Sequence, residues 1–193
     1  PDTCSTAARS RRRPNRPPSE APKSKGKQTM TTNQSPSHSD YRRAAALIAH
    51  QAEGSVPGIR CILEEASTAN RSTPLLIALL DAFRLIAREL RTDSALQALG
   101  ELIEIFTGQS GPMRAAALVT IARRDRDTAR FNEVLIAAND ADAAGGLLAS
   151  VLELWAALLP ELAAPHALRS LSTWTARIAA SEDRADGDES ANR

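Results

Sequence analysis

Apolar residues recur every three or four positions through the middle of the chain, and this spacing restricts the fold more than any other feature. The longest stripe follows Thr73 and Pro74, at Leu76, Leu79, Leu80, Phe83, Ile86, Ala87 and Leu90. A period of 3.6 residues places such side chains on one face of an α-helix. Ala and Leu supply most of the hydrophobic fraction of 42%, and only 3% of the residues are aromatic. Because strands favour aromatic and β-branched residues, the sequence predicts an all-α fold.

Residues typical of helix starts and stops divide residues 39–181 into about eight helices. The predicted starts are Ser39 or Asp40, Pro57, Thr73, Thr92 or Asp93, Pro112, Asp127, Asp140 and Pro165. Ser, Thr and Asp side chains cap free backbone amides, and Pro is tolerated in a first turn. Gly54 and Gly108 follow predicted helix ends. The pair Gly145 and Gly146 weakens the first turns of the seventh helix.

The chain matches itself at an offset of about 72 residues, through three helices in order. Residues 75–83 (LLIALLDAF) fall on residues 147–155 (LLASVLELW). The first helix matches after a shift of one residue, where the run RAAALI beginning at Arg43 falls on RAAALV beginning at Arg114. Leu- and Ala-rich helices also match one another by chance, so the conserved order of four helices carries the inference. We predict a tandem duplication of a four-helix unit made of two hairpins.

The predicted units are residues 39–110 and residues 111–181, with paired core positions such as Phe83 and Trp155. The hairpins then recur about every 36 residues, a spacing found in α-solenoids. The run RAAAL that begins at Arg114, together with DSALQALG in the preceding unit, resembles the second helix of HEAT or armadillo repeats. That resemblance implies a protein-binding scaffold, through the fold alone. A closed bundle of two pseudo-symmetric four-helix halves explains the same pattern.

Charge is unevenly distributed along the chain, although the net charge is only +1. Residues 1–43 contain ten Lys or Arg and three acids, whereas residues 44–180 contain twelve Arg and fifteen acids. Residues 1–38 are rich in Pro, Ser, Thr, Arg and Lys and have few large apolar side chains. We therefore expect a disordered basic tail there, and a disordered acidic tail at residues 182–193.

The start of the chain admits three interpretations. Met30 begins a polar segment typical of protein N-termini, and the codons for Lys25, Gly26 and Lys27 would be purine-rich, as in a bacterial ribosome-binding site. Residues 1–29 are then translated upstream sequence of a bacterial gene. Alternatively they are a basic arm for nucleic acid or nuclear import, or a solvated tail with no role.

No group of residues in the sequence points to catalysis or to metal binding. The residue types that carry such chemistry are few: His38, His50, His166, Glu64 with Glu65, Glu101 with Glu104, and Cys61. No histidine has a second metal ligand at a helical spacing. Each carboxylate pair fits an exposed helix face better than an acid–base pair. The thiol lies beside an apolar stripe, which is typical of a small core residue.

Arginines and tryptophans are the remaining candidates for a binding role. The arginines form two groups, the first at Arg84, Arg88 and Arg91, and the second around a predicted turn at residues 123–127, at Arg123, Arg124, Arg126 and Arg130. Acids lie among both groups, which favours an ordinary solvated surface over a phosphate-binding stripe. Trp155 and Trp174 match apolar residues of the other unit, which favours core packing over partner contact.

These features predict a non-enzymatic, cytoplasmic protein that binds a protein partner or self-associates, without a metal or cofactor. Two cysteines without a disulfide framework fit a reducing compartment. The longest apolar run, residues 147–162, is too short and too charged to span a membrane. The alternative is a nucleic-acid-associated protein whose N-terminal arm supplies the affinity. A helical enzyme whose site is assembled from residues distant in sequence is a third class.

Overall fold

The computed structural model describes residues 34–141 and 143–191, and within these ranges every regular element is a helix. The all-α prediction is therefore confirmed. The described elements are α1 His38–Ala52, α2 Val56–Thr68, α3 Ser72–Leu90, α4 Asp93–Thr107, α5 Pro112–Asp125, α6 Thr128–Asp140, α7 Ala144–Leu158, a 3₁₀ turn Pro160–Ala163 and α8 Pro165–Ala191. The predictions for the basic tail, including residues 1–29, lie outside the described residues except at its last positions.

Several predicted helix starts are confirmed. At two of them, a side-chain oxygen accepts a hydrogen bond from a backbone amide of the first turn. The Thr92 hydroxyl accepts a hydrogen bond from the amide of Ala95 at 3.5 Å, at the start of α4. The Asp127 carboxylate accepts one from the amide of Arg130 at 2.9 Å, at the start of α6. Prolines occupy the first turns of α2, α5 and α8, as predicted, at Pro57, Pro112 and Pro165.

Three predicted caps are wrong; a hydrogen bond explains the first, burial the second and the continuation of α6 the third. Ser37 is the cap of α1, and Asp40 lies inside the first turn, where its carboxylate accepts from the Ser37 amide at 2.8 Å. Thr73 is the second residue of α3; it is 1% exposed, and its hydroxyl has no described hydrogen-bond partner. Asp140 ends α6, while α7 begins at Ala144 without a polar cap.

Two segments are more helical than the sequence indicates. α5 continues to Asp125, so the predicted turn at residues 123–127 contracts to two residues, of which Arg126 is left-handed with φ 59°. α8 continues to Ala191, beyond the predicted end of the eighth helix near residue 181. Ala, Glu and Arg favour helix there, and no residue that breaks a helix occurs before Gly187.

The helices pack as a closed bundle rather than as an open solenoid. α1 contacts α2, α3, α7 and also α8, the last helix of the chain, while α5 contacts α3, α4, α6 and α7. In a solenoid each repeat contacts only its neighbours, so the first and last hairpins would lie apart. Helices from both predicted units contribute to a single continuous apolar core.

Similar helix–helix contacts occur in the two predicted units, as we would expect if a duplicated unit had closed into a bundle. α1 packs on α3 as α5 packs on α7, and α4 packs on α5 as α8 packs on α1. Phe83 of α3 and Trp155 of α7, paired by the sequence match, stack on each other with centroids 4.9 Å apart and planes within 5°. Self-contact of paired positions is a property of a two-fold axis. The common origin of the two units stays a prediction.

Two glycines provide opposite tests of the backbone, one at the junction of the units and one in the first turn of α7. Gly111, before α5, has φ 75° and ψ −154°, a region open essentially to glycine alone. We expect Gly111→Ala to lower the free energy of unfolding by about 1–3 kcal/mol. Gly146 is helical, and an added Cβ would meet nothing within 4 Å. We expect Gly146→Ala to raise the free energy of unfolding by about 0.5–1 kcal/mol. Urea unfolding of both variants checks the signs, and equal effects would contradict the assigned conformations.

No described helix combines the length and the hydropathy that a bilayer span requires.

Candidate functional site

A pocket between α3, α4 and α5 combines an apolar floor with arginines at its rim, and we name it the arginine pocket. Its volume is about 200 Å³. Four arginines line it: Arg84, Arg88, Arg123 and Arg124. Its apolar surface comes from leucine, isoleucine and alanine side chains of α3 and α4 and from Trp155 of α7. An apolar cavity with a few convergent polar groups is the usual form of a small-molecule site.

The helical period positions the rim on α3. Arg84 and Arg88 are one turn apart and flank the stripe that buries Leu80 and Ala87. Residues four apart share a helix face, and both arginines line the same pocket. Gly100 of α4 makes room on the opposite side, because a Cβ there would lie 3.1 Å from the Arg124 guanidinium. The pocket therefore depends on a close approach of α4 to α5.

Two of the four rim arginines are neutralised by carboxylates. Arg123 donates two hydrogen bonds to Asp81, at 2.9 and 2.7 Å, and these bonds raise the Arg123 pKa. The Tyr41 hydroxyl also donates to Asp81, at 3.4 Å; burial first, and then the nearby carboxylate, raise the pKa of Tyr41. Arg124 lies 3.2 Å from Glu104 and 2.8 Å from Asp125. Hydrogen bonding to Arg124 lowers the Asp125 pKa.

The other two rim arginines carry uncompensated charge. Neither Arg84 nor Arg88 forms an ion pair with a residue in the described part of the chain, whereas the rim arginines of α5 do. Arg84 is half-buried and Arg88 is exposed. Since an unpaired charge beside an apolar wall is unfavourable, half-buried Arg84 favours an anionic ligand beside it.

The floor contains a buried hydrogen-bond donor without an acceptor. Trp155 is 4% exposed, and its indole Nε1 has no hydrogen-bond partner among the described residues. Phe83 covers one face of the ring. The hydroxyl of Thr120, which also lines the pocket, donates to the Ala116 carbonyl at 2.7 Å. Leaving a buried donor unpaired costs about 1–3 kcal/mol.

A second feature lies on the outer side of α4, the helix that forms one wall of the arginine pocket. Ala98, Leu102 and Ile105 follow one another at spacings of four and three on α4, and we name them the α4 stripe. Leu102 is 46% exposed and Ile105 is 67% exposed. Large apolar side chains grouped on an exposed face mark interaction surfaces more often than scattered ones do.

The structure brings together residues that the sequence treats separately. One pair from each predicted arginine group meets at the arginine pocket, although the groups lie on different helices. The remaining first-group member, Arg91, instead pairs with Glu161 at 2.6 Å. The predicted mixing of arginines with acids is observed at Arg123 and Arg124, since both form ion pairs with acids. For Arg84 and Arg88, the signal in the sequence was their i, i+4 spacing beside the apolar stripe of α3.

The α4 stripe was not singled out from the sequence. The inner face of α4 holds Leu96, Leu99, Ile103 and Phe106, of which Leu99 and Ile103 are buried and the other two partly buried. Leu102 and Ile105 lie off that face. Two large apolar residues outside a helix's own stripe are the signal that could have identified it.

The predicted core positions are partly confirmed. Trp155 is in the core, whereas Trp174 is half-buried and meets Tyr41 edge to face, with centroids 5.8 Å apart. Cys61 is exposed, so its prediction as a core residue is wrong; α2 lies at the edge of the bundle, and Ala66 is its one fully buried residue.

The histidines and carboxylate pairs lie apart from one another. The His50 ring packs over Gly58, where an added Cβ would be 2.7 Å away, and His166 is exposed. Glu65 pairs with Arg43 at 2.5 Å, across two helices on the surface. Within residues 34–141 and 143–191, no three His, Cys, Asp or Glu side chains are grouped closely enough to hold a metal ion.

Comparison with protein-family models, with curated proteins and with solved structures finds no match, so the function is argued from the residues and their geometry.

Proposed function

We propose that this protein is a non-enzymatic helical interaction module that binds a protein partner through the α4 stripe. The observation that carries the proposal is the exposure of Leu102 and Ile105, 46% and 67%, on one face of α4. Both residues would be removed from water in a complex, and burial of an aliphatic side chain contributes about 1.5–3 kcal/mol.

The charge of α4 indicates what kind of partner fits. The helix carries three acids, Asp93, Glu101 and Glu104, and no Lys or Arg. A second copy of α4 laid against the stripe would bring like charges together, which disfavours self-association through this face. An amphipathic helix of another protein, with Lys or Arg beside its own apolar residues, would be complementary.

The test compares the wild-type protein with a Leu102→Ser, Ile105→Ser double variant in affinity purification from the source cell. We expect a specific partner to be lost with the double variant, because the apolar contacts that bury the stripe are gone. Val56→Ser is the matched control, since Val56 is 61% exposed on α2, away from the stripe. It should retain the partner.

The affinity of the recovered partner is then measured by calorimetry. We expect the double variant to bind at least about tenfold more weakly, equivalent to about 1.4 kcal/mol. Equal recovery by all three proteins would contradict the proposed surface. A dimer of the wild type that the double variant alone abolishes, seen by light scattering, would instead assign the α4 stripe to self-association.

Nucleic-acid binding is the second candidate function, favoured by the charge of the N-terminal segment. Residues 1–43 hold ten Lys or Arg and three acids. Phosphate contacts release counterions, so binding of this origin weakens steeply as salt is added. Deletion of residues 1–29 should then abolish DNA or RNA binding measured between 50 and 200 mM salt, a range over which such contacts lose most of their affinity. Retained binding would place the contact on the helical bundle.

A cytoplasmic and bacterial setting is part of the proposal. Cys61 is an exposed free thiol. Such thiols are typical of reducing compartments. The bacterial assignment rests on the purine-rich codons expected before Met30.

A further inference from the structure

The arginine pocket combines two properties that together specify a ligand. It has an apolar wall, and it has two arginines that form no ion pair with a described carboxylate. We propose that it binds a small amphipathic carboxylate, with the acid group at Arg84 and Arg88 and the hydrocarbon part against the wall between α3 and α4. This goes beyond the proposed partner contact, because the pocket faces the inner side of α4 and the stripe faces outward.

The charge balance at the rim supports an anion. Asp81 neutralises Arg123, and Glu104 and Asp125 neutralise Arg124. The guanidinium groups on α3 remain, and a planar guanidinium matches a carboxylate with two parallel hydrogen bonds. The half-buried position of Arg84 strengthens this interaction, because it is less screened by solvent than a fully exposed pair.

The lining supports a hydrocarbon part on the ligand. Leu80, Leu99 and Ile103 are each at least 95% buried, and they line the pocket together with Leu96. The polar side chains that line it are the four arginines, Trp155 and Thr120, whose hydroxyl already donates to a backbone carbonyl. Sugars and other polyhydroxyl compounds would find few hydrogen-bond partners on such an apolar wall.

The volume limits the size of the ligand. At about 200 Å³ the pocket is smaller than the roughly 300–1,000 Å³ of sites for drug-sized molecules. A single aromatic ring or a short alkyl chain attached to one carboxylate is the class that fits. Octanoate and phenylacetate represent the two shapes.

The indole of Trp155 supplies a specific readout, because Trp155 lines the pocket. The chain has two tryptophans, so an amide correlation NMR spectrum of the full chain contains two indole signals. Trp174→Phe assigns them, because it removes the signal of the residue that packs on Tyr41 rather than in the pocket. We expect octanoate or phenylacetate to shift the Trp155 indole signal in a saturable manner and to leave the Trp174 signal in place.

The role of charge is tested by calorimetry with ligands that lack one part of the molecule. Octanol keeps the chain without the charge, and acetate and inorganic phosphate keep the charge without the chain. We expect octanoate to bind at least about tenfold more tightly than each of these. Equal binding of octanol would overturn the assignment of the head group to arginine, and equal binding of phosphate would reduce the pocket to a nonspecific anion site.

The arginines are tested with a double variant and a matched control. Arg84→Gln with Arg88→Gln removes both charges while keeping polar side chains, and octanoate affinity should fall at least about tenfold. Arg60→Gln, on the exposed side of α2, should leave it unchanged. Gly100→Val fills the pocket from α4 and should also abolish the Trp155 shift. Octanoate binding that survives both pocket variants would overturn the proposal.

Discussion

Replacing Phe83 with alanine is expected to lower the free energy of unfolding by about 3–5 kcal/mol, the usual range for loss of a buried aromatic side chain. Phe83 is 1% exposed and stacks on Trp155, which joins α3 to α7 where the two units meet. The substitution leaves a cavity in the shared core and removes the stacking contact. Urea unfolding followed by circular dichroism measures the change.

Two control variants separate the contributions at this position. Phe83→Leu keeps most of the apolar volume and loses the ring contact, so its cost should be about 0.5–1.5 kcal/mol. Phe106→Ala removes the same side chain from a half-buried site near the end of α4 and should cost less than Phe83→Ala. Equal losses from Phe83→Ala and Phe106→Ala would contradict a central role for the stack. A double-mutant cycle with Trp155→Leu isolates the pairwise energy.

Replacing Asp40 with asparagine is expected to lower the free energy of unfolding by about 2–3 kcal/mol at neutral pH. The carboxylate is completely buried and accepts hydrogen bonds from Arg71, from the Ser37 hydroxyl at 2.7 Å and from the Ser37 amide. Breaking a buried pair costs about 3–5 kcal/mol, and the partly exposed Arg71 side chain reduces that figure because water can solvate it. Asp93→Asn, in the exposed first turn of α4, is the control and should cost below about 0.5 kcal/mol.

The same carboxylate gives stability a defined dependence on pH. Burial alone would raise the Asp40 pKa, but the hydrogen bonds from Arg71 and Ser37 outweigh it and lower the pKa below its ordinary value of 3.8. A carboxyl whose pKa is lower in the folded state stabilises the fold above the ordinary pKa, and this stability is lost as pH falls through the folded value.

Unfolding measured at pH 7 and below pH 3 therefore separates wild type from Asp40→Asn. We expect their difference in stability to shrink in acid, because the wild-type carboxylate becomes protonated. A difference that stays constant over this range would show that the charge of Asp40 does not stabilise the fold. Arg71→Gln should remove stability in the same pH range, since it takes away the cation that holds the carboxylate ionised.

Local sequence signals predicted the helices well where the deciding contact is within one turn. Thr92 and Asp127 cap α4 and α6 through amides three residues away, and this proximity is encoded in the sequence itself. The caps at Thr73 and Asp140 were mispredicted because neighbouring helices bury the first and because α6 continues through the second. Burial by another helix cannot be deduced from a local residue pattern.

Contacts between distant residues decided the ion pairs and the arginine pocket. Asp40 meets Arg71 across 31 positions, and Asp81 meets Arg123 across 42. Each residue on its own is typical of a solvated helix surface. Only the approach of α1 to the start of α3, and of α3 to α5, turns these charges into pairs and leaves Arg84 and Arg88 unpaired beside an apolar wall.

By itself the sequence determined the all-α class, most helix boundaries and the stripe that buries α3. These follow from a 3.6-residue period and from interactions within one or two helical turns. The tertiary structure alone decided that the helices close into a bundle, that the paired aromatic rings contact each other, and that α4 presents one apolar face inward and another outward. The physical reason is that a stripe fixes which face of a helix is buried, whereas packing against other helices fixes which residues meet there.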